Sequence, residues 1–241
     1  CGRDLAHFFQ FVPGLLRRAS RLRRNICGRA FMGQQARADA DLELCRNRIL
    51  ERSTGAGDGA RTLKVAAIQM TSTVNLDDNL RQAERLMQDA AEQGAQLLLL
   101  PENFACYGGD YRHLAASQGQ ALDAWLAYWA DHLKVHIAGG SVPRLLRPDG
   151  SPVPEPRVRT ALMVYDPQGQ RVARYDKLHL FDMDVADAQG SYRESEVFEA
   201  GRTLETVSVA GWNVGLAICY DLRFPAQARA LADAGAQLLL Y

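Results

Sequence analysis

The hydrophobic pattern becomes regular from Leu63 onwards. Residues 64–70 form a short apolar run that predicts a strand, and residues 75–93 repeat apolar positions near 3.6-residue spacing, which predicts an amphipathic helix. Asn75 suits the N-cap of this helix, and Gly94 suits its end. Residues 96–100 are continuously apolar, as in a strand that is buried on both faces. The pattern therefore predicts a β-α-β unit with a right-handed crossover.

Helix-type and strand-type patterns continue to the end of the chain. A helix is predicted at residues 121–133 and a strand at residues 135–139. Two hairpins are predicted, one from strands at residues 160–165 and 171–175 and one from strands at residues 204–209 and 213–218. The proline-rich residues 143–156 indicate a surface loop. Helices that alternate with buried strands are typical of an α/β fold.

One sequence pattern occurs twice. Residues 91–99 and 232–240 each read as a helix end, a glycine and a buried strand, and they share the letters Gly-Ala-Gln-Leu-Leu-Leu. One interpretation is a fold of two related halves, in which case the second half is expected to be cut off at Tyr241. The other is that any helix–glycine–strand unit converges on this pattern. The sequence leaves both open.

Charge separates the first 62 residues from the rest. The 241 residues are 47% hydrophobic and 23% charged, which excludes collagen-like, disordered and disulfide-scaffold classes for the chain as a whole. Residues 1–62 carry 12 Arg, no Lys and 6 acidic residues, whereas residues 63–241 carry 16 basic and 22 acidic residues. Residues 53–60 are glycine-rich and resemble a linker. We predict a disordered, Arg-rich extension and linker over 1–62 and a folded domain over 63–241.

The Arg-rich extension has other interpretations. A nucleic-acid-binding arm is one, but aromatic and basic residues are not interleaved as in such modules. A transit peptide is another, but transit peptides are poor in acidic residues. Translated sequence upstream of the true start is a third. Because the first residue is Cys rather than Met, a fragment, a processed product or a wrongly assigned start is expected.

The remaining composition predicts a cytoplasmic protein without a metal. No apolar run reaches the roughly 18 residues of a membrane span, and no secretory signal is visible. The five cysteines are scattered and include no CxxC pair, which argues against a zinc site or a disulfide framework. A reducing compartment fits such cysteine usage.

Cys219 is the first candidate for chemistry. It stands between an apolar strand and a predicted helix start, on a turn that exposes its side chain. Free N–H groups and the positive dipole end at a helix start would favour the thiolate, which is the nucleophilic form. The same N–H groups could hold an oxyanion. The alternative is a small buried cysteine without chemical function.

Glu102 and Lys177 are the second and third candidates. Glu102 follows the buried strand at residues 96–100, where α/β folds place ligands, and a partly buried carboxylate there suits general-base catalysis. Lys177 follows a strand among apolar neighbours, and its ammonium could stabilise an oxyanion. The alternatives are an exposed acid and a surface lysine. His179 and Asp182 lack a third ligand at suitable spacing, so no metal site is predicted.

The three contexts together resemble a known family. Leu-Leu-Leu-Pro-Glu-Asn around Glu102, Tyr-Asp-Lys-Leu-His-Leu-Phe-Asp around Lys177 and Ala-Ile-Cys-Tyr-Asp-Leu-Arg-Phe-Pro around Cys219 resemble the nitrilase superfamily of carbon–nitrogen hydrolases. Their order in the chain is also that of the family. The motifs around Lys177 and Cys219 are most similar to those of the branch that holds ω-amidase and deaminated glutathione amidase. The resemblance covers residues 63–241.

The resemblance implies a fold and a set of roles. The fold is a four-layer α-β-β-α sandwich, expected here to be truncated at the C-terminus, and family members commonly form homodimers. Glu102 would be the base, Lys177 the oxyanion stabiliser and Cys219 the nucleophile. Glu194 matches the family's second glutamate, with Glu196 and Glu199 as nearby rivals.

The same resemblance implies a reaction without a cofactor. The backbone N–H of Tyr220 would support the oxyanion, and Arg223 could bind a substrate carboxylate, unless it forms a local ion pair with Asp221. The implied activity is release of ammonia from the terminal amide of a small carboxylate through a thioester, with no nucleic-acid or membrane partner. Alternatives are a nitrilase, an N-carbamoyl hydrolase or a catalytically silent binding subunit.

Overall fold

The computed structural model describes residues 48–53, 62–184 and 191–241. Seven strands form the first sheet: β1 (Arg48–Ser53), β2 (Thr62–Ala67), β3 (Leu97–Leu99), β4 (His136–Ala138), β5 (Val142–Arg144), β6 (Arg159–Tyr165) and β7 (Arg171–Asp176). Strands β2, β3 and β4 are parallel, β4 and β5 pair antiparallel with β6, and β7 pairs antiparallel with β6. The parallel strands confirm the predicted β-α-β unit.

The second sheet has three strands: β10 (Thr206–Val209), β11 (Trp212–Leu216) and β12 (Leu238–Leu240). Strands β10 and β11 form the predicted hairpin, and β12 pairs parallel with β11. A separate two-stranded sheet contains β8 (Asp182–Asp184) and β9 (Ser191–Arg193). The repeated pattern at residues 91–99 and 232–240 therefore ends each time in a strand that runs parallel to its neighbour, β3 beside β2 and β12 beside β11.

Helices α1 (Leu76–Glu92) and α2 (Tyr111–Leu133) cover the outer face of the first sheet, and α4 (Pro225–Asp233) covers that of the second. The short α3 (Glu194–Val197) and a 3₁₀ helix (Cys219–Arg223) lie at the ends of strands. One apolar cluster joins α1 and α2 to the first sheet, and a second joins the inner faces of both sheets. On the outside of the second sheet, Leu231 of α4 packs closely on Gly215 of β11. These layers give the α-β-β-α order that the resemblance to the nitrilase superfamily implies.

Local signals set the limits of the helices. The Asn75 side chain accepts a hydrogen bond from the N–H of Asp78 at 3.1 Å, so the predicted N-cap of α1 is confirmed. The second helix begins ten residues earlier than predicted, because Asp110 caps it through the N–H of His113 at 2.9 Å. No described helix has the length and apolar character needed to cross a membrane.

Two sequence predictions differ from the structure. The surface loop predicted from Pro143 begins later, because residues 142–144 form a buried strand on the edge of β6. The boundary at residue 62 is also wrong for residues 48–53, which form six pairs with β2 and belong to the same compact unit as the rest of the described chain. Residues 1–47 and 54–61 lie outside the described residues, so the predicted extension and linker stay predictions there.

Candidate active site

Glu102 lies just beyond the C-terminal end of β3, where the sequence places it. The next residue, Asn103, has a left-handed backbone with φ of 54°, and its N–H donates to Ser141 Oγ at 2.9 Å. A Cβ atom at Gly140 would stand 2.1 Å from the carbonyl oxygen of Pro101. Only glycine therefore lets these two loops pack closely enough to hold the Glu102 turn.

Lys177 follows β7 and is fixed through its backbone. Its N–H donates to the carbonyl of Thr160 at 3.0 Å, and its own carbonyl accepts from the N–H of Gly201 at 2.7 Å. A Cβ at Gly201 would stand 2.1 Å from the carbonyl oxygen of Asp176, so this contact also requires glycine. The Lys177 side chain is only 1% exposed, which excludes the surface-lysine alternative.

Cys219 follows β11 on the second sheet and has a left-handed φ of 49°. For a residue other than glycine this conformation costs about 1–2 kcal/mol. The sharp turn exposes the side chain, as predicted. The predicted helix is divided, however: the cysteine begins a five-residue 3₁₀ helix, and α4 starts only at Pro225. A helix this short adds little dipole stabilisation to a thiolate.

The structure brings Glu102, Lys177, Glu194 and Cys219 together. The Nζ of Lys177 lies 3.2 Å from Glu102 Oε1, and 2.7 Å and 2.9 Å from the two carboxylate oxygens of Glu194. Glu102 and Lys177 are also the charged groups that act most strongly on the Cys219 thiol. A thiol, two carboxylates and an ammonium therefore share one site that spans the ends of strands from both sheets.

Burial and charge control the protonation of the site. Burial disfavours the Lys177 ammonium, but the charges of Glu102 and Glu194 outweigh it and raise the pKa of Lys177 above its ordinary value. Although part of Cys219 is exposed, the protein packed around its thiol, together with the Glu102 carboxylate, raises the pKa of that thiol to about 12, and Lys177 acts in the opposite direction. The sequence-based expectation of a resting thiolate is therefore wrong. The raised pKa of Cys219 favours the neutral thiol at neutral pH.

Glu194 is the glutamate of the site, and its rivals lie elsewhere. It stands at the start of α3, and its Oε2 also accepts from the N–H of Phe181 at 2.5 Å. Glu196 is exposed. Glu199 instead accepts hydrogen bonds from Arg147 and Arg159.

Arg223 and Tyr220 lie on the 3₁₀ helix that begins at Cys219. Arg223 is exposed, and among the described residues no ion pair joins it to the fully buried Asp221. The alternative that gave Arg223 a local partner is therefore wrong. Tyr220 is the second residue of its helix, a position at which backbone N–H groups lack an acceptor in a preceding turn.

The polar residues around Lys177 serve different contacts. The Asp176 carboxylate accepts from Arg174 at 2.7 Å, and Asp182 accepts from the N–H of Ser195 at 3.0 Å. His179 lies 2.8 Å from Asp221. Across residues 62–184 and 191–241, no three His, Cys, Asp or Glu side chains are grouped as a metal site would need.

Sequence reasoning missed a buried polar cluster beneath the site. Tyr175 Oη donates to Asp221 at 2.6 Å and accepts from Gln227 Nε2 at 2.9 Å. These residues are 46 and 52 positions apart in the chain, so no local spacing could connect them. The one signal that the local sequence offers is Asp221, an aspartate two residues after the candidate nucleophile.

The sequence matches the carbon-nitrogen hydrolase family over residues 64–241. It is 40% identical over 178 residues to a deaminated glutathione amidase of Synechocystis sp., covering 72% of this chain and 63% of that protein. It is 32% identical over 183 residues to omega-amidase NIT2 of Homo sapiens, covering 75% of this chain and 63% of that protein. The chain thus spans 63% of the length of both relatives.

Solved structures of amidases also resemble this chain. An amidase from Nesterenkonia sp. superposes with a TM-score of 0.60 at 27% identity, covering 73% of this chain and 63% of that one. A mutant amidase from Nesterenkonia sp. AN1, described as carrying the product of acrylamide addition at its active-site cysteine, also gives 0.60, at 26% identity over 73% of this chain and 65% of that chain. The match over residues 64–241, with the observed fold, shows that this chain belongs to the carbon-nitrogen hydrolase family.

Proposed function

We propose that the protein is an amidase that releases ammonia from the terminal amide of a small carboxylate through a Cys219 thioester. The observation that carries the proposal is the meeting of Glu102, Lys177 and Cys219, with Lys177 Nζ at 3.2 Å from Glu102 Oε1. The likeness to proteins named deaminated glutathione amidase and omega-amidase supports an amide substrate.

The first half of the reaction begins with a neutral thiol. The Glu102 carboxylate takes the Sγ proton as the sulfur attacks the amide carbon, which forms the C–S bond and moves the carbonyl electron pair onto oxygen. The ammonium of Lys177 and the N–H of Tyr220 stabilise that oxyanion. Glu102 then gives its proton to the amide nitrogen, the C–N bond breaks, and ammonia leaves a thioester on Cys219.

Hydrolysis of the thioester completes the cycle. Glu102 takes a proton from water as the water oxygen attacks the thioester carbon, and Lys177 again stabilises the oxyanion. The C–S bond breaks, and the sulfur recovers the proton from Glu102. Glu194 accepts two contacts from Lys177 and so fixes the ammonium between two carboxylates. Every proton is moved by residues of this chain.

The test compares two cysteines. Cys219→Ala should abolish ammonia release from 2-oxoglutaramate and remove the thioester adduct that intact-mass measurement detects in the parent protein. Cys106 is buried, and burial raises its pKa, so Cys106→Ala serves as the matched control and should keep most activity. Turnover of a nitrile or an N-carbamoyl substrate in preference to the amide would select the alternative enzymes. An unmodified Cys219 with no turnover of any substrate would indicate a silent binding subunit.

Assembly and location form part of the same proposal. Resemblance to the family supports a homodimer of the full-length protein, and the scattered cysteines support the cytoplasm. The excess of acidic residues over residues 63–241 argues against nucleic acid as a partner. Light scattering coupled to size-exclusion chromatography of the full-length protein should give twice the mass that denaturing mass spectrometry gives for one chain. A monomer that is fully active would contradict the dimer but leave the chemistry intact.

A further inference from the structure

Asp221 is a buried carboxylate two residues after Cys219, and its side chain is 0% exposed. Its Oδ2 accepts from Tyr175 Oη at 2.6 Å and from the N–H of Ile218 at 2.9 Å. Its Oδ1 faces the N–H of His179 at 3.0 Å and the Nδ1 of His179 at 2.8 Å. Four polar contacts therefore converge on one side chain that never reaches solvent.

These contacts join the two halves of the site. Tyr175 and His179 lie two residues before and two residues after Lys177, whereas Ile218 immediately precedes Cys219. The Tyr175 hydroxyl also accepts a hydrogen bond from the N–H of Leu178 at 3.1 Å, and this contact further restrains the backbone next to Lys177. One carboxylate thus bonds to the segment that carries the ammonium and to the turn that carries the sulfur.

We propose that Asp221, with Tyr175, is the positioning element that fixes Lys177 relative to Cys219. This inference rests on the proposed function. Neither side chain touches the reacting atoms in the proposed mechanism. Both act through the backbone of the residues that border Lys177 and Cys219.

The physical need for such an element follows from the architecture. Lys177 follows a strand of the first sheet and Cys219 a strand of the second, and the two sheets meet through an apolar cluster. Apolar packing is non-directional and does not by itself fix two polar atoms to a fraction of an ångström. Hydrogen bonds are directional, and those to a charged acceptor are the stronger ones.

A purely structural role is a less economical explanation. Burying a carboxylate is costly unless it is hydrogen-bonded, and a well-packed apolar side chain often stabilises a core as well or better. Asp221 and Tyr175 instead accept hydrogen bonds from the backbone N–H groups of Ile218, Leu178 and His179. These three positions border the two candidate catalytic residues. Misplacing reacting groups by about 1 Å can reduce a rate by roughly 100-fold.

The experiment compares two buried tyrosines on neighbouring strands. Tyr175 on β7 donates to Asp221 at 2.6 Å, and Tyr165 on β6 donates to Asp123 at 2.7 Å. Both side chains are buried. Tyr165→Phe removes one part-buried hydrogen bond to Asp123, whereas Tyr175→Phe removes the bond to Asp221 together with those that the hydroxyl accepts from Leu178 and Gln227. Asp123 belongs to α2, in the layer outside the first sheet, away from the second sheet. Tyr175→Phe should therefore lose more stability, so both rates are measured at a temperature where urea unfolding shows each variant to be fully folded.

The expected result is a selective loss of rate. Tyr175→Phe should lower kcat for 2-oxoglutaramate by about 10-fold or more while KM stays within about twofold, because the transition state rather than ground-state binding is affected. Asp221→Asn should lower kcat roughly 100-fold, because the new amide places an N–H donor against groups that now donate hydrogen bonds to Asp221. Tyr165→Phe should stay within about twofold in both constants. Equal losses in the two tyrosine variants, or no loss in either, would overturn the proposal.

A second readout separates this proposal from the amidase proposal. The rate at which acrylamide modifies Cys219, followed on the peptide that carries it, needs no turnover. The charged groups facing the sulfur are Glu102, Lys177 and Glu194, and Lys177 is the one that favours the thiolate. Tyr175→Phe should slow modification about fivefold or more relative to Tyr165→Phe and the parent. If acrylamide modifies Cys219 of the parent protein but the parent releases no ammonia, the amidase proposal fails. The comparison of the two tyrosine variants still decides the role of Asp221.

His179 supplies a variant that tolerates change, since its side chain is 28% exposed. His179→Ala removes the Nδ1 contact to Asp221 and should slow both readouts, and His179→Asn, whose amide can donate from a similar position, should restore most of the rate. Loss without rescue by asparagine would point to the stacking of His179 on Phe224, at 3.6 Å between ring centres, and would count against the proposal.

Discussion

At the scale of single residues, Arg223 gives the sharpest test of substrate choice. It is exposed on the 3₁₀ helix next to the proposed nucleophile, and its guanidinium offers a fork of donors that suits a carboxylate. Arg223→Gln should raise KM for 2-oxoglutaramate about 10-fold, because a hydrogen bond to a charged group contributes about 1.5–3 kcal/mol. Butyramide, which lacks a carboxylate, should be hydrolysed as before.

The control for Arg223 is Arg229→Gln, which removes an exposed arginine from α4 and should leave both substrates unaffected. Michaelis constants for the two amides decide the outcome. An equal rise for butyramide would mean that Arg223 supports the site in another way and does not recognise the carboxylate.

At the scale of elements, the loop at Gly201 determines where Lys177 sits. A methyl group there would stand 2.1 Å from the backbone oxygen of Asp176, so Gly201→Ala must displace the end of β7. We expect a loss of about 1–3 kcal/mol in the free energy of unfolding and at least a 10-fold drop in kcat. Urea unfolding and steady-state rates measure the two effects.

Gly119→Ala is the matched control for this loop. Gly119 lies within α2, where the nearest atom to an added Cβ is Arg144 Nη1 at 3.4 Å, an ordinary contact. Alanine is favoured over glycine inside a helix by roughly 1 kcal/mol, so stability should hold or rise and activity should be kept. Similar losses in both variants would show that Gly201 has no special relation to Lys177.

A second element-scale prediction concerns the acid limit of stability. Hydrogen bonds from Arg147, and then from Arg159, lower the pKa of Glu199 to about 2 from its ordinary 4.5. Because the folded pKa is the lower one, these contacts stabilise the protein above pH 4.5, and that stabilisation is lost as the pH falls towards 2. Glu199→Gln should lower the unfolding midpoint at pH 7 and flatten its decline over that interval.

Glu155→Gln is the comparison for Glu199. Its carboxylate pairs with Arg112 at 2.8 Å but is 80% exposed, and such surface pairs contribute little. Thermal unfolding at several pH values should therefore match the parent. A Glu199 variant that keeps the parent's acid-side decline would contradict the assigned contacts.

At the scale of the whole molecule, β1 protects the edge of the first sheet. Its six residues pair with β2, although they lie upstream of the boundary that composition suggested. A chain that begins at Arg48 keeps this strand, whereas one that begins at Thr62 exposes the unpaired N–H and C=O groups of β2, which favours aggregation. The shorter chain should unfold at lower urea concentration and scatter more light on storage. Equal behaviour of the two would mean that the β1 pairing contributes no stability.

The sequence alone determined the features that depend on neighbouring residues. Helix α1 with its Asn75 cap and the buried strand β3 follow from periodicity and capping within one short segment, so they could be predicted. The positions of Glu102 and Cys219 beyond strand ends followed in the same way. The early start of α2 was missed because polar residues mask its periodicity, and β1 because composition does not report a partner strand.

Tertiary structure decided what depends on distant residues. Lys177 and Glu102 are 75 positions apart and Tyr175 and Asp221 are 46 apart, so only the packing of two sheets makes these contacts. The raised pKa of Cys219 is of the same kind, because desolvation and the charge of Glu102 come from the surrounding fold and not from the helix start that the local sequence suggested. Local pattern fixes where a strand ends, because period and caps are properties of a segment. Which side chains meet there, and in which protonation state, is a property of the packed molecule.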